Sequence, residues 1–205
     1  MRTGILLFKD AEELDFAGPF EVFGIASKLT NKAGPVTVSK DGSLIQCSHG
    51  LRVQPDHSFS NCPPLDLLIV PGGRGARESA LLDEDTLSFV RMQASKAQVA
   101  SVCTGALVLA KAGVLDGHKA TTHHAWIEAL QKYPKVQVVP GARYVREGNV
   151  SSSAGITAGI DLALEIVREQ FGDAILAEVT KEMEYERAPR MIGSSKRRRV
   201  PDGLK

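Results

Sequence analysis

The chain has 205 residues, of which 43% are hydrophobic and 24% charged, and its formal net charge is +1 at pH 7. This is the composition of one ordinary globular domain, and the near-zero charge gives no support for binding to nucleic acid or to an anionic membrane. The longest apolar runs, such as Leu67 to Val70, are too short to span a bilayer.

Short apolar runs in the first half of the chain predict strands, and one amphipathic segment predicts a helix. In chain order the elements are a strand at Thr3–Phe8, a helix whose apolar face runs from Leu14 to Ile25, a strand at Val36–Ser39, a hairpin-like pair at Leu44–Cys47 and Leu51–Val53, and a strand at Leu65–Val70. Pro19 lies inside the helical pattern and predicts a kink or a restart near Gly18-Pro19.

The second half alternates helices and strands until the pattern fails near Arg187. The predicted elements are a helix at Leu81–Ala94, a strand at Gln98–Val102, a helix at Thr104–Ala112, an extended segment at His118–Thr122, a helix at His124–Tyr133, strands at Val136–Val139, Tyr144–Arg146 and Val150–Ser153, and helices at Ile156–Phe171 and Asp173–Glu184. We expect residues 187–205 to be a basic, mobile tail, and we interpret Lys196-Arg197-Arg198-Arg199 as a solvated terminus rather than a nucleic-acid site.

This alternation predicts a single α/β domain over residues 1–186, with a mostly parallel sheet and helices on both faces. Ligands of such sheets bind at the carboxyl ends of the strands. Two predicted strand ends carry residues suited to chemistry: Val70 leads into Pro71-Gly72-Gly73, and Val102 leads into Cys103-Thr104-Gly105.

Cys103 stands at a strand-to-helix turn, as in a nucleophile elbow. The free N–H groups and the positive dipole end of a helix start favour a thiolate. We therefore interpret Cys103 as a nucleophile that is largely ionised at neutral pH, in preference to a small buried hydrophobe. For Cys47 and Cys62 we prefer the buried, inert role, because no helix begins after them. Three cysteines without Cys-x-x-Cys spacing support neither a disulfide scaffold nor a metal site.

Attack by a thiolate creates negative charge that fixed backbone N–H groups stabilise. Gly72 and Gly73 are candidate donors for an oxyanion or substrate, and the N–H of Thr104 is another. The alternative for the two glycines is a tight turn with positive φ and no chemistry, and the spacing does not choose between the two.

Four motifs occur in a fixed order: Pro71-Gly72-Gly73, Ser101-Val102-Cys103-Thr104-Gly105-Ala106, Ala120-Thr121-Thr122-His123 and Gly155-Ile156-Thr157-Ala158-Gly159-Ile160-Asp161. Together, over Thr3 to Glu184, they resemble the ThiJ/PfpI superfamily, which has the class I glutamine amidotransferase-like fold. Within it the motifs are most similar to isocyanide hydratases and to the sensor domains of AraC-type regulators. The resemblance implies a flavodoxin-like, doubly wound sheet and a homodimer.

The resemblance also implies roles for individual residues. Asp15 falls at the position of the family's acid, where it would share a proton with the thiol and act as general acid–base; the residues alone do not distinguish it from Glu12 or Glu13. Thr104 matches the Cys-Thr pair of the hydratases and replaces the histidine of the protease-like members. His123 matches a histidine near the cysteine in some branches, with an ordinary core or surface histidine as the alternative.

The resemblance implies a cysteine-dependent lyase that converts an isocyanide to an N-substituted formamide through a thioimidate on Cys103, without a cofactor. The alternatives are a glyoxalase- or deglycase-like enzyme acting on aldehydes such as methylglyoxal, and a non-catalytic ligand- or redox-sensing domain. The chain is too short for the helix-turn-helix units of AraC-type regulators, so we expect no nucleic-acid partner. The N-terminus lacks signal-peptide features, so we expect a cytoplasmic protein with a small-molecule substrate.

The sequence departs from the family pattern at two places near the expected pocket. His124 stands where many relatives have tryptophan, and Ser152-Ser153-Ala154 stands where hydratases tend to have glycines. The late acid of the family, Asp161, lies inside an amphipathic helix, and we assign it a structural role.

Overall fold

A computed structural model describes residues 1–186, and the predicted basic tail lies outside the described residues. The strands are β1 (Thr3–Leu6), β2 (Val36–Ser39), β3 (Ile45–Gln46), β4 (Arg52–Val53), β5 (His57–Ser58), β6 (Leu67–Val70), β7 (Gln98–Val102), β8 (Lys119–Ala120), β9 (Gln137–Val138), β10 (Tyr144–Glu147) and β11 (Val150–Ser153). The helices are α1 (Glu13–Thr30), α2 (Arg74–Glu78), α3 (Glu84–Ala94), α4 (Gly105–Lys111), α5 (Ile127–Gln131) and α6 (Ala158–Glu182).

Seven strands form the central sheet, in the order β10-β11-β7-β6-β1-β2-β5. All neighbours are parallel except β10 and β11, which are antiparallel. The five inner strands, β2, β1, β6, β7 and β11, have the flavodoxin-type order of a doubly wound sheet, as predicted. β3 and β4 form the expected hairpin, and β8 and β9 form a separate parallel pair.

Alternate residues of the inner strands supply two cores, one on each face of the sheet. Along β6, Leu67 and Ile69 face α1 and α6, whereas Leu68 and Val70 face α3 and α4. This is the period-two pattern of a strand that is buried on both faces. Because both faces of the sheet are covered, the polar groups of the site lie at the strand ends.

Several helices differ from the sequence prediction: α2 was not predicted, and α3 begins at Glu84 rather than Leu81, after a 3₁₀ turn at Ala80–Leu82. The helix α1 is continuous through Pro19, so of the predicted kink or restart near Gly18-Pro19 the restart is wrong and the kink stays a prediction. Both residues are buried and α1 packs against α6, with a Cβ on Gly18 falling 2.8 Å from Ile160. This packing outweighs the hydrogen bond that proline removes. The segment predicted as one helix over His124–Tyr133 is a 3₁₀ turn, His124–Trp126, followed by α5.

The predicted interruption at Gly172 is confirmed. α6 spans Ala158–Glu182, but Gly172 has non-helical torsion angles (φ 86°, ψ 172°) and divides it in two. Positive φ at this position suits glycine, which has no Cβ to clash with the backbone.

Candidate active site

The site forms where β1, β6 and β7 end side by side. Asp15 lies in the first turn of α1, which follows β1, Gly72 follows β6, and Cys103 follows β7. The order of strands reverses between β1 and β6, and ligands of doubly wound sheets bind at such switch points. The structure thus brings together groups that are separated by as many as 88 positions in the chain.

Cys103 has left-handed backbone torsion, with φ of 55°, although it is not a glycine. Its N–H donates to the carbonyl oxygens of Ser153 and Ala154, each at 3.2 Å, and its own carbonyl accepts a 2.7 Å hydrogen bond from the hydroxyl of Thr122. Such torsion costs about 1–3 kcal/mol and persists only when surrounding bonds enforce it. These bonds fix the turn and hold the side chain, which is 6% exposed, against the sheet edge.

Asp15 is fully buried. Its Oδ2 accepts a 2.9 Å hydrogen bond from the N–H of Gly72, whereas its Oδ1 is buried without a conventional hydrogen-bond partner. The Cys103 thiol is close enough to act on the carboxyl through hydrogen bonding. One carboxylate oxygen is therefore fixed by Gly72, and the carboxyl lies within reach of the sulfur for proton exchange.

The amides of the two glycines are hydrogen-bonded within the site. Gly72 N–H is bonded to Asp15, and Gly73 N–H donates to Oγ1 of Thr104 at 3.1 Å. Neither amide is therefore a free oxyanion donor, because both are used to position side chains of the site. A Cβ on Gly72 would lie 2.6 Å from Thr104 N and 2.8 Å from Asp15 Oδ2, so only glycine fits there.

The pKa values of the two acids move in the same direction. Burial raises the pKa of the Asp15 carboxyl from its ordinary 3.8 to about 7, helped by the charge of Glu12 and opposed by the Gly72 N–H. Burial, followed by the charge of Asp15, raises the pKa of the Cys103 thiol from 9.0 to about 12, against the backbone N–H and hydroxyl of Thr104.

The pKa of the Cys103 thiol is thus raised, the opposite direction from the one predicted from the helix start. The helix that follows, α4, has only seven residues, and its dipole does not outweigh burial beside a carboxylate. Above neutral pH the pair holds one proton between the sulfur and the carboxylate, so it titrates as a unit.

His123 is partly buried at the margin of the site. Its Nδ1 accepts a 3.2 Å hydrogen bond from the N–H of Ala125, and its ring lies against Gly155, where a Cβ would fall 2.1 Å from Cδ2. Burial, then the charges of His124 and Arg77, lower its pKa, which favours the neutral ring. His123 is thus adjacent to the loop that holds Cys103 and carries its proton on Nε2.

Two contributions to the site were not assigned from the sequence. Thr122 holds the Cys103 carbonyl, and the backbone of Ser153 and Ala154 holds its N–H. Thr122 lies in the third motif, directly before His123. The motif therefore marked Thr122 as a candidate, but only the structure shows that its hydroxyl binds the carbonyl of Cys103. The backbone carbonyls have no side-chain signal at all.

The remaining candidates lie away from the pair. Asp161 is buried and ion-paired with Arg143, and its Oδ1 accepts a hydrogen bond from the hydroxyl of Tyr185, which agrees with a structural role. Among residues 1–186, Glu12, Glu13 and His49 place possible metal-ligand atoms within 4.8 Å of one another, but His49 Nδ1 already lies 2.8 Å from Glu13.

Fold and site together define an α/β protein with a cysteine at a strained strand-to-helix turn and a buried carboxyl beside its sulfur. A model of the DJ-1/PfpI family matches residues 1–169, and the chain belongs to this family.

Its relatives include enzymes and regulators. It is 40% identical to an isonitrile hydratase of Pseudomonas putida, over 92% of this chain and 80% of that protein. It is 30% identical to the HTH-type transcriptional regulator GbdR of Pseudomonas aeruginosa, over 90% of this chain but only half of the regulator. The crystal structure of a ThiJ/PfpI family protein from Pseudomonas syringae superimposes with a TM-score of 0.83, at 31% identity, covering 95% of this chain and 78% of that chain.

Membrane insertion has no support in the helices of residues 1–186, none of which is both long and apolar enough to cross a bilayer.

Proposed function

We propose that the chain is an isocyanide hydratase in which Cys103 is the nucleophile and Asp15 is the general acid–base. The observation that carries the proposal is the fully buried Asp15 carboxyl, which is oriented by the N–H of Gly72 and lies close enough to Cys103 for each group to shift the pKa of the other. A carboxyl with a pKa of about 7 exchanges protons efficiently at neutral pH. The 40% identity to an isonitrile hydratase supports the same reaction.

In the first step the Cys103 sulfur adds to the terminal carbon of the isocyanide while the thiol proton passes to the Asp15 carboxylate. The new S–C bond leaves an electron pair on that carbon, and Asp15 returns the proton to it. The product is a neutral thioimidate, S–CH=N–R. Because the thiol loses its proton only during attack, its raised resting pKa is compatible with nucleophilic catalysis.

In the second step water adds to the same carbon. The Asp15 carboxylate takes a proton from the water, and the nitrogen receives it. The C–S bond of the tetrahedral adduct then breaks, the hydroxyl proton returns to the sulfur through Asp15, and an N-substituted formamide leaves. One water is consumed per isocyanide and nothing is oxidised or reduced, so the sulfur and the carboxylate supply all of the reacting protein groups.

The direct test is formamide production from a simple alkyl isocyanide by the intact chain and by Cys103→Ala. We expect turnover by the intact chain, loss of turnover in Cys103→Ala, and a thioimidate adduct on Cys103 detectable by mass spectrometry after rapid quenching. Cys62→Ala is the matched control, because Cys62 is a partly buried free thiol outside the site. Full turnover by Cys103→Ala would overturn the proposal.

A second candidate is a sensing domain, which the match to half of the regulator GbdR favours. Its signature is oxidation of Cys103 to a sulfinic acid, or ligand binding, without turnover. Assaying an isocyanide beside methylglyoxal separates hydration from aldehyde chemistry. Inactivity on both compounds, together with a change in stability when Cys103 is oxidised, supports the sensor.

The family resemblance further supports a homodimer. Leu14 and Phe20 of α1 are 38% and 36% exposed, although both are apolar, so α1 offers surface for such an interface. Light scattering of the purified chain tests this directly, with a single-chain mass as the contrary result. The three free cysteines support a reducing compartment such as the cytoplasm.

A further inference from the structure

A basic and aromatic surface, formed by Arg77, His123, His124 and Trp126, lies beside the site. The Arg77 guanidinium stacks on the Trp126 ring, 4.6 Å from its centroid. The rings of His123 and His124 are 4.2 Å apart at an angle of 34°. The charge of Arg77 acts on His123, so the four side chains form one continuous surface, which we call the basic wall.

The basic wall is connected to the nucleophile by short contacts. Thr122, next to His123, hydrogen-bonds the carbonyl of Cys103 at 2.7 Å, and the His123 ring lies against Gly155. Gly155 directly follows Ala154, whose carbonyl accepts the N–H of Cys103. The basic wall is therefore close enough to Cys103 to contact the substituent of a substrate bound there.

Arg77 forms no salt bridge with a carboxylate of residues 1–186, and its guanidinium lies on the ring of Trp126. Its neighbour on α2, Arg74, is by contrast paired with Asp10 at 2.9 Å. A half-buried arginine that is held flat on an aromatic ring keeps the N–H edges of its guanidinium free. Those edges match the two oxygens of a carboxylate in a bidentate arrangement.

His123 adds a second donor to the same surface. Its Nδ1 accepts from Ala125 N–H, which assigns the ring proton to Nε2. A neutral imidazole that carries its proton on Nε2 can donate a hydrogen bond to the same anion that Arg77 binds. One face of the Trp126 ring is occupied by Arg77, so an aromatic substituent cannot stack on that face.

We propose that Arg77, held on Trp126, together with His123 binds a carboxylate on the substrate's substituent, so that the site selects carboxylate-bearing isocyanides such as an isocyanoacetate. The choice of isocyanide rests on the proposed function, whereas the carboxylate subsite itself does not. Arg77 is then a specificity-determining residue, and His123 assists it.

The binding test uses Trp126, the only tryptophan in the chain, as the reporter. Fluorescence is titrated with N-formylglycine, which is the hydration product of isocyanoacetate, and with the neutral N-formylglycinamide. We expect saturable quenching by the acid and binding of the amide that is roughly ten- to a hundredfold weaker. Arg77→Met is expected to abolish the difference and Arg77→Lys to restore part of it, whereas Arg74→Met, which removes a charge already paired on the same helix, keeps it.

The kinetic test compares isocyanoacetate with isocyanoacetamide. Arg77→Met is expected to raise KM for the acid about tenfold or more with little change in kcat, and to leave the amide unaffected. Equal binding of the two formyl compounds by the unaltered chain, or an acid preference that survives in Arg77→Met, would overturn the subsite. Acid-selective quenching without any hydration would leave the subsite standing and overturn only the proposed reaction. Hydration without any preference for the acid would support the proposed reaction and overturn the carboxylate subsite.

Discussion

The N–H of Gly72 donates a 2.9 Å hydrogen bond to Oδ2 of Asp15, across 57 positions of the chain, and this bond orients the carboxyl of the site. The glycine is required there because any Cβ would collide with Asp15 and with Thr104. Fixing Oδ2 holds the carboxyl in place near the thiol of Cys103, with which it interacts. The loop after β6 thus positions the acid of the site.

The rate of hydration is expected to rise with pH through about 7. Attack requires Asp15 as a carboxylate, and burial raises the pKa of this group to about 7. Below that pH the carboxyl is protonated and unable to accept the thiol proton. The measurement is kcat/KM for an isocyanide as a function of pH. A profile that is flat through neutral pH would contradict the assignment of Asp15.

Asp15→Asn is expected to lose activity while its thiol becomes more acidic. The amide cannot accept the thiol proton, so turnover falls by roughly 10²–10⁴-fold. The negative charge that raises the pKa of Cys103 is removed as well, so that pKa falls. Thiolate absorbance in the ultraviolet follows the thiol, and formamide production follows turnover. An unchanged thiol pKa would mean that the two groups are not coupled.

Asp15→Asn is also expected to stabilise the fold above neutral pH. Because the pKa in the folded state is about 7 and the ordinary value is 3.8, the native state retains a proton that the unfolded chain releases between these values. The contribution of Asp15 to stability is therefore complete below about pH 4 and is lost as the pH rises to 7. Above 7 the free energy of unfolding of the variant exceeds that of the intact chain by at most about 4 kcal/mol.

Urea denaturation at pH 4 and at pH 8 measures this difference. Asp161→Asn is the matched control, since it removes a buried carboxylate that is ion-paired with Arg143, and it is expected to destabilise at neutral pH. Asp15→Asn behaving like Asp161→Asn at pH 8 would show that the Asp15 carboxylate is not destabilised by its site.

Thr104→Val is expected to destabilise the loop after β6. The Thr104 hydroxyl accepts from Gly73 N–H at 3.1 Å and donates to the Gly73 carbonyl at 3.3 Å, all in the buried interior. Removing it leaves a buried N–H without an acceptor, at a cost of about 1–3 kcal/mol. Chemical denaturation measures the cost, and Thr104→Ser, which keeps the hydroxyl, is expected to recover most of it. Equal stability of the valine and serine variants would contradict this role.

Gly72→Ala is expected to abolish activity, because its Cβ would lie 2.6 Å from Thr104 N and 2.8 Å from Asp15 Oδ2. Gly24→Ala is the control: Gly24 lies within α1, and a Cβ there meets nothing within 4 Å. The control is expected to keep full activity and to gain up to about 1 kcal/mol from helix propensity. Turnover and thermal unfolding of both variants are the measurements, and an active Gly72→Ala would refute the close packing at this position.

Local patterns predicted most of the secondary structure, and tertiary packing decided the exceptions. The two-residue edge strand β5 has no pattern long enough to recognise. The helix through Pro19 persists because α6 packs against it. Asp15 could not be chosen over Glu12 and Glu13 from the residues, and only the resemblance to a known family selected it.

By itself the sequence determined the strands, most of the helices and the position of Cys103 at a strand end, because hydrophobic periodicity and turn residues are local properties. The folded structure alone decided the ionisation of the site and the use of its amides. A pKa depends on burial and on charges brought close from distant segments, and a glycine N–H binds whichever acceptor the fold places before it. For that reason burial beside Asp15 raises the pKa of the Cys103 thiol where a helix start alone would lower it, and the N–H groups of Gly72 and Gly73 bind Asp15 and Thr104.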